Sequence, residues 1–151
     1  MTVVVAIDRA TEADIDVISE ILGEIEAYYG GAVTPGNVNQ IRAALFTQQP
    51  AATVLLARDG NHVLSLASYS LLWPAAGADT SLYLKELYVR EPARRRGIAR
   101  QLMARLKEEA ATAGCSRIEW TGDTENPPAL HFYEAYGVAP KNDNVFYRME
   151  L

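Results

Sequence analysis

LYVREPARRRGIARQLM, residues 87–103, passes from an alternating apolar segment through three consecutive arginines to a glycine and then to apolar residues at helical spacing. That change of period across a single turn reads as strand, turn, helix. Gly97 stands where the helix opens, and the first N–H groups of a helix lack intrahelical acceptors and carry partial positive charge. Gly97 has no side chain and Ala99 a small one, so an anion can approach those amides. Arg95, Arg96 and Arg100 surround the same turn and can add charge-assisted hydrogen bonds to phosphate oxygens. The plain alternative is a solvated basic helix start. Neither G-x-G-x-x-G nor a Gly-Lys-Ser/Thr phosphate loop is present, so the usual dinucleotide and nucleotide fingerprints are excluded.

The rest of the chain sharpens the contrast. Its 151 residues suit one domain with a real core, and 49% hydrophobic with 22% charged residues is globular composition. Net charge is −5, against general nucleic-acid binding, yet eight of the fourteen Lys and Arg residues fall between Lys85 and Lys107. An acidic arm balances this island: seven acidic residues and one basic residue, Arg9, lie between Asp8 and Glu26. The single cysteine, Cys115, suits a reducing compartment. No basic leader and no bilayer-length apolar run is evident. The expectation is a single cytoplasmic domain, 1–151, without membrane or nucleic-acid partners. Two separated histidines and one cysteine predict no metal site.

Outward from the arginines, SLYLKELYV reads as the preceding strand, and the helix covers roughly 97–113 with Gly114 as its C-terminal glycine. TVLLAR and HVLSLASYSLL read as a hairpin joined at Asp59-Gly60-Asn61. TVVVAI is a first strand. Thr11 opens a helix whose stripe is Ile15, Ile18, Leu22 and Ile25, with Thr11 and Asp14 as a capping box. A short helix covers 38–47, WPAAGADT is a loop, RIEW is a strand, and Pro127-Pro128 start a helix that runs to Tyr136. VFYRMEL reads as a closing strand. The sum is an α/β (α+β) domain: a mixed, mostly antiparallel twisted sheet of about six to seven strands flanked by about four helices.

With those elements in order, residues 87–103 resemble the acetyl-CoA-binding motif of the GNAT N-acetyltransferases, Arg/Gln-x-x-Gly-x-Gly/Ala after a strand. NPPALHFYEAYGV, residues 126–138, is similar to the family's later Asn…Phe-Tyr-x-x-x-Gly segment. The resemblance implies an acetyl-CoA-dependent N-acetyltransferase with the donor as a substrate and no metal. In that implication the backbone of Leu87, Tyr88 and Val89 pairs with the pantetheine arm. Arg94, Arg95, Arg96, Gly97, Ile98, Ala99 and Arg100 form the pyrophosphate turn. Asn126 hydrogen-bonds the cofactor, and a homodimer through the last strands is expected.

Acetyl transfer to an amine needs a proton acceptor for the amine and a proton donor for the departing thiolate. The resemblance places Tyr133 as the acid; an ordinary packing tyrosine is the alternative. Glu86 is the candidate base, against a strand carboxylate paired with Lys85 or an arginine, and Glu119 is the second choice. Polyamine-type members, which YLKELYV otherwise resembles, carry two adjacent acids where this chain has Lys85-Glu86, and a lysine there opposes a polycationic acceptor. The resemblance puts Glu24, Glu26, Tyr28 and Tyr29 on the acceptor side, where carboxylates with an aromatic face suit an ammonium; an ordinary solvated helix face is the alternative. Trp120 and Trp73 are candidate cleft walls. The expected acceptor is a primary amine of a small molecule, attacked directly in a ternary complex. The alternatives are a protein N-terminus or lysine as acceptor, or a non-catalytic CoA-binding sensor.

Overall fold

Alternating apolar residues build one five-stranded sheet in the order β1-β2-β3-β4-β5, from β1 (Ala6–Arg9), β2 (Thr53–Asp59), β3 (His62–Leu72), β4 (Thr80–Val89) and β5 (Cys115–Glu119). The first four strands pair antiparallel, and β5 joins β4 in parallel. The computed structural model describes residues 3–151, which form two compact units, one ending at Trp120 and one spanning Thr121–Leu151.

The helices of the first unit are α1 (Ile15–Tyr28), α2 (Val38–Leu45) and α3 (Ile98–Thr112). On one face of the sheet, Ile15, Ile18, Ile21 and Ile25 of α1 and Ile41 of α2 cluster with Val54, Leu56, Val63, Leu66 and Tyr88. The spacing in α1 puts its isoleucines on one stripe, and alternation puts Val54 and Leu56 on one side of β2. Leu55, on the other side of β2, is fully buried, as are Leu102 and Leu106 of α3, which packs against β2 to β5. Burial of each such side chain stabilises the fold by about 1.5–3 kcal/mol.

Local signals agree with this layout. Gly60 takes φ +58 in the two-residue turn between Asp59 and His62, a left-handed conformation that glycine adopts without a steric penalty. The Asp14 carboxylate accepts from the Thr11 N–H at 2.8 Å, closing the box ahead of α1. Arg58 then donates to the other Asp14 oxygen at 2.6 Å, tying the helix start to β2.

One expected strand is displaced and another is absent among the described residues. The first strand begins at Ala6, because Val3 donates its N–H to the Arg96 carbonyl and Val5 donates to Gln101 Oε1. Backbone groups used that way cannot join a ladder; Thr2, also expected there, lies outside the described residues. VFYRMEL forms no strand: Val145, Phe146, Tyr147, Met149 and Leu151 are all exposed and outside regular structure. The sheet therefore has five strands rather than six to seven.

The second unit carries α4 (Pro127–Tyr136), whose first turn holds Pro127 and Pro128 and whose end is marked by Gly137 at φ +97. Phe132 packs edge-on against Tyr133, with ring centroids 5.5 Å apart, and lies 6.0 Å from Tyr136.

Candidate active site

β4 and the edge strand β5 part company halfway along β4. β4 and β5 are paired only from Thr80↔Cys115 to Tyr83↔Glu119, whereas β4 stays paired with β3 up to Val89↔Ser65. From Leu84 to Val89 the flank of β4 turned away from β3 therefore pairs with no strand among the described residues. Its backbone groups there can accept an extended ligand as an added strand.

The same segment contains a bulge. Leu84 opposes Tyr69 and Glu86 opposes Ser68, leaving Lys85 as the extra residue. A bulge re-aims the side chains that follow it. Leu84 shares its face with Tyr69, whereas Glu86 stands with Tyr88 on the α1 face. Glu86 is half-buried, and no hydrogen bond or ion pair to its carboxylate is found among the described residues. Burial raises its pKa above the ordinary carboxylate range, and the neighbouring Lys85 charge opposes that rise.

β4 leads through a short 3-10 turn, Glu91–Ala93, into the arginine stretch. Arg95 takes φ +65 and Gly97 φ +74, so the chain turns sharply before α3 begins at Ile98. Among the described residues no side chain caps this helix, and Gly97 offers no Cβ to cover its first amides. Ile98 is buried and anchors the turn in the core, while Arg95, Arg96 and Arg100 are exposed around it and Ala99 is half-buried. Helix-start amides ringed by guanidiniums suit a diphosphate.

Arg94 faces elsewhere. Its guanidinium lies 5.3 Å from the Tyr28 ring centroid and 5.5 Å from that of Tyr88, and its Nε donates to the Val89 carbonyl at 2.9 Å. Tyr28 and Tyr88 meet edge-on at 6.1 Å. Burial raises the Tyr88 phenol pKa, with Arg94 acting in the opposite direction. These groups line a cavity of about 680 Å³ together with Glu24, Val33 and Arg90.

Arg90, which the motif does not single out, anchors the cavity wall. It donates to Glu24 at 2.6 and 3.1 Å, to Glu20 at 2.7 Å and to the Val63 carbonyl at 3.3 Å. Glu24 is thus held in an ion pair, whereas Glu26 is exposed and Tyr28 partly so. Its position directly after an apolar strand, opposite an acidic helix, was the available signal.

Glu119 ends β5 exposed and accepts from the Ser81 hydroxyl at 2.7 Å. Trp120 is half-buried; Trp73 is exposed, its indole N–H donating to the Ala78 carbonyl at 2.8 Å. Asn126 and Tyr133 belong to the second unit: Asn126 precedes α4, and Tyr133 is half-buried on it. Among the described residues there is no cluster of three or more His, Cys, Asp or Glu able to hold a metal, and no helix long and apolar enough to cross a membrane.

A mixed sheet opened beside β4, with a glycine-started helix at the end of that strand, defines an acyltransferase-type fold. The family model for the GNAT acetyltransferases matches residues 19–138, and the chain belongs to that family. It is 32% identical over 65 residues to an L-ornithine N5-acetyltransferase of Arabidopsis thaliana, covering 43% of this chain and 28% of that protein. It is 36% identical over 69 residues to an aminoglycoside N(6′)-acetyltransferase type 1 of Serratia marcescens, covering 46% of this chain and 47% of that one. The matched stretches thus span less than half of either curated relative. The solved structure of integron cassette protein VCH_CASS6, from the mobile metagenome of V. cholerae, is 31% identical, with a TM-score of 0.82 over 97% of this chain and 92% of that one.

Proposed function

We propose that the protein is an N-acetyltransferase that moves an acetyl group from acetyl-CoA to a primary amine of a small molecule. The observation that carries the reading is the unpaired flank of β4 beyond Tyr83↔Glu119, running toward the uncapped start of α3 at Gly97. An extended arm ending in a diphosphate matches that sequence of features: strand-like pairing along Leu87 to Val89, then amide and guanidinium contacts at residues 95–100. The relatives, an ornithine and an aminoglycoside acetyltransferase, support a small amine as acceptor. The family match runs across both compact units, which supports a single acetyltransferase domain.

In this reading the amine nitrogen attacks the thioester carbonyl; a C–N bond forms and the C–S bond breaks. The amine must first lose a proton, since an alkylammonium has a pKa near ~10.4. Glu86 accepts it: its carboxylate is partly desolvated and has no competing partner among the described residues. Glu119 is bound to Ser81 and is the less available base. Tyr133 gives a proton to the departing thiolate, and the second proton that the attacking nitrogen sheds as the amide forms restores the phenol. Holding the reactants together supplies much of the rate. A cytoplasmic location accords with the lone cysteine, Cys115. A homodimer accords with the exposed apolar residues of the tail.

The test is release of free thiol from acetyl-CoA across a panel of ornithine, diamines, aminoglycosides and lysine-containing peptides. Turnover with the small amines is expected. Turnover with peptides alone would reassign the acceptor, and coenzyme binding without turnover on any amine would leave a sensor domain. Tyr133→Phe is expected to lower kcat; full turnover in that variant would remove the tyrosine from the mechanism.

A further inference from the structure

Arg94 stands at the head of the arginine stretch, yet its side chain is used on the α1 face rather than at the start of α3. Three contacts hold it: the Val89 carbonyl, the Tyr88 ring on β4 and the Tyr28 ring in the last turn of α1. Four residues earlier, Arg90 holds the same helix through Glu24 and Glu20. The segment between β4 and α3 is therefore fastened to the end of α1 at two points. Arg95, whose φ of +65 is unusual for a residue with a side chain, lies between the fastening and the anion turn.

From this geometry we infer that Arg94 is a positioning residue coupling the donor turn to the cavity lined by Glu24 and Tyr28, two of the residues read from the sequence as suited to an ammonium. The inference rests on the donor reading above. A diphosphate that orders residues 95–100 also restrains the backbone of Arg94, their direct neighbour. Through its guanidinium, that restraint reaches Tyr28 and the C-terminal end of α1, where Tyr29, Gly30 and Gly31 donate to Ile25, Ala27 and Glu26. Ordering by one ligand then lowers the ordering cost for the next, which is positive coupling without a change of fold. Donor binding thus firms one wall of the 680 Å³ cavity before the acceptor arrives. Arg94 acts through Tyr28 and is not itself a phosphate ligand.

Amide hydrogen exchange on the full chain, with coenzyme A as the probe, tests this. In the wild type, coenzyme A should slow exchange at residues 95–100 and also at Tyr29, Gly30 and Gly31. The second effect should be roughly two- to fivefold, the size of one exposed cation–π contact. Arg94→Ala and Tyr28→Leu should keep the first protection and lose the second, and Tyr28→Phe, which retains the ring, should keep both. The coupling is overturned if the wild type shows protection only at the turn, or if either disruptive variant still protects the end of α1. Loss of turn protection in Arg94→Ala would also overturn it, making Arg94 a phosphate ligand. No protection anywhere at saturating coenzyme A would sink the donor reading and the coupling with it.

Discussion

Glu109, in the penultimate turn of α3, receives two hydrogen bonds from Arg9 of β1, at 3.2 and 3.3 Å, across a separation of 100 residues. Arg105 adds a third at 3.4 Å and also donates to the Ile7 carbonyl, so the edge strand is bound to the helix by side chain and backbone together. The carboxylate is buried while Arg9 remains largely exposed. Hydrogen bonding from Arg9 holds the Glu109 pKa below the ordinary carboxylate value. A depressed folded pKa means that its stabilisation is present above the unfolded value, near ~4.3, and is lost as pH falls through the folded one. Glu109→Gln is expected to cost about 1–2 kcal/mol at pH 7, the scale of hydrogen bonds to a charged group reduced for exposure of Arg9. Melting curves from pH 7 to pH 3 should converge for variant and wild type at the acid end. A constant gap would show that the charge does not matter.

Gly97 and Gly114 provide a matched pair at the two ends of α3. Their φ values are +74 and +75, so alanine is strained equally at both, by about 1–2 kcal/mol. At Gly114 an added Cβ meets nothing within 4 Å. Both variants should melt a few degrees below the wild type. Only Gly97→Ala should also weaken coenzyme A binding, roughly tenfold or more, because its methyl stands over the helix amides. Equal affinities for coenzyme A in the two variants would move the diphosphate away from this turn.

Leu102 tests the packing that holds α3 under the sheet. Its side chain is 0% exposed. Leu102→Ala should destabilise by about 2–5 kcal/mol through lost burial and the cavity left behind. Denaturant unfolding measures this directly. A cost below about 1 kcal/mol would mean that this helix is not a fixed layer of the core.

Elements bounded by local chemistry were legible in the sequence. Gly60 announced the hairpin, Thr11 and Asp14 the entry to α1, Pro127 and Gly137 the limits of α4, because each of those signals acts within a few residues. What could not be read depends on partners distant in the chain. VFYRMEL has strand composition, but a strand also needs a neighbour that its composition does not specify. The bulge at Lys85 arises from register against Ser68 and Tyr69 on β3, so the adjacent charges of Lys85 and Glu86 gave no hint of it. Arg94 shared its type and position with Arg95 and Arg96; only the approach of Tyr28, from a helix far upstream, separates its role from theirs.

Glu86 yields the sharpest test of the chemistry, because its raised pKa has a named cause and a named opponent. Burial lifts it and Lys85 restrains it. If Glu86 takes the amine proton, kcat/KM should climb with pH along a limb lying above the ordinary carboxylate range. Lys85→Ala should move that limb to still higher pH, since the opposing charge is gone. Glu86→Gln should abolish the limb, while Glu119→Gln leaves it in place. Stability must move in the opposite sense. A folded pKa raised above the unfolded one means that the native state binds the extra proton, so the contribution is present below the unfolded pKa and is lost as pH rises through the folded value. Glu86→Gln should therefore melt higher than the wild type at pH 7 and show no such advantage near pH 4. A variant that is both less active and more stable at neutral pH is what a carboxylate held half-buried for proton transfer predicts. An unshifted limb in all three variants would assign the proton to solvent instead.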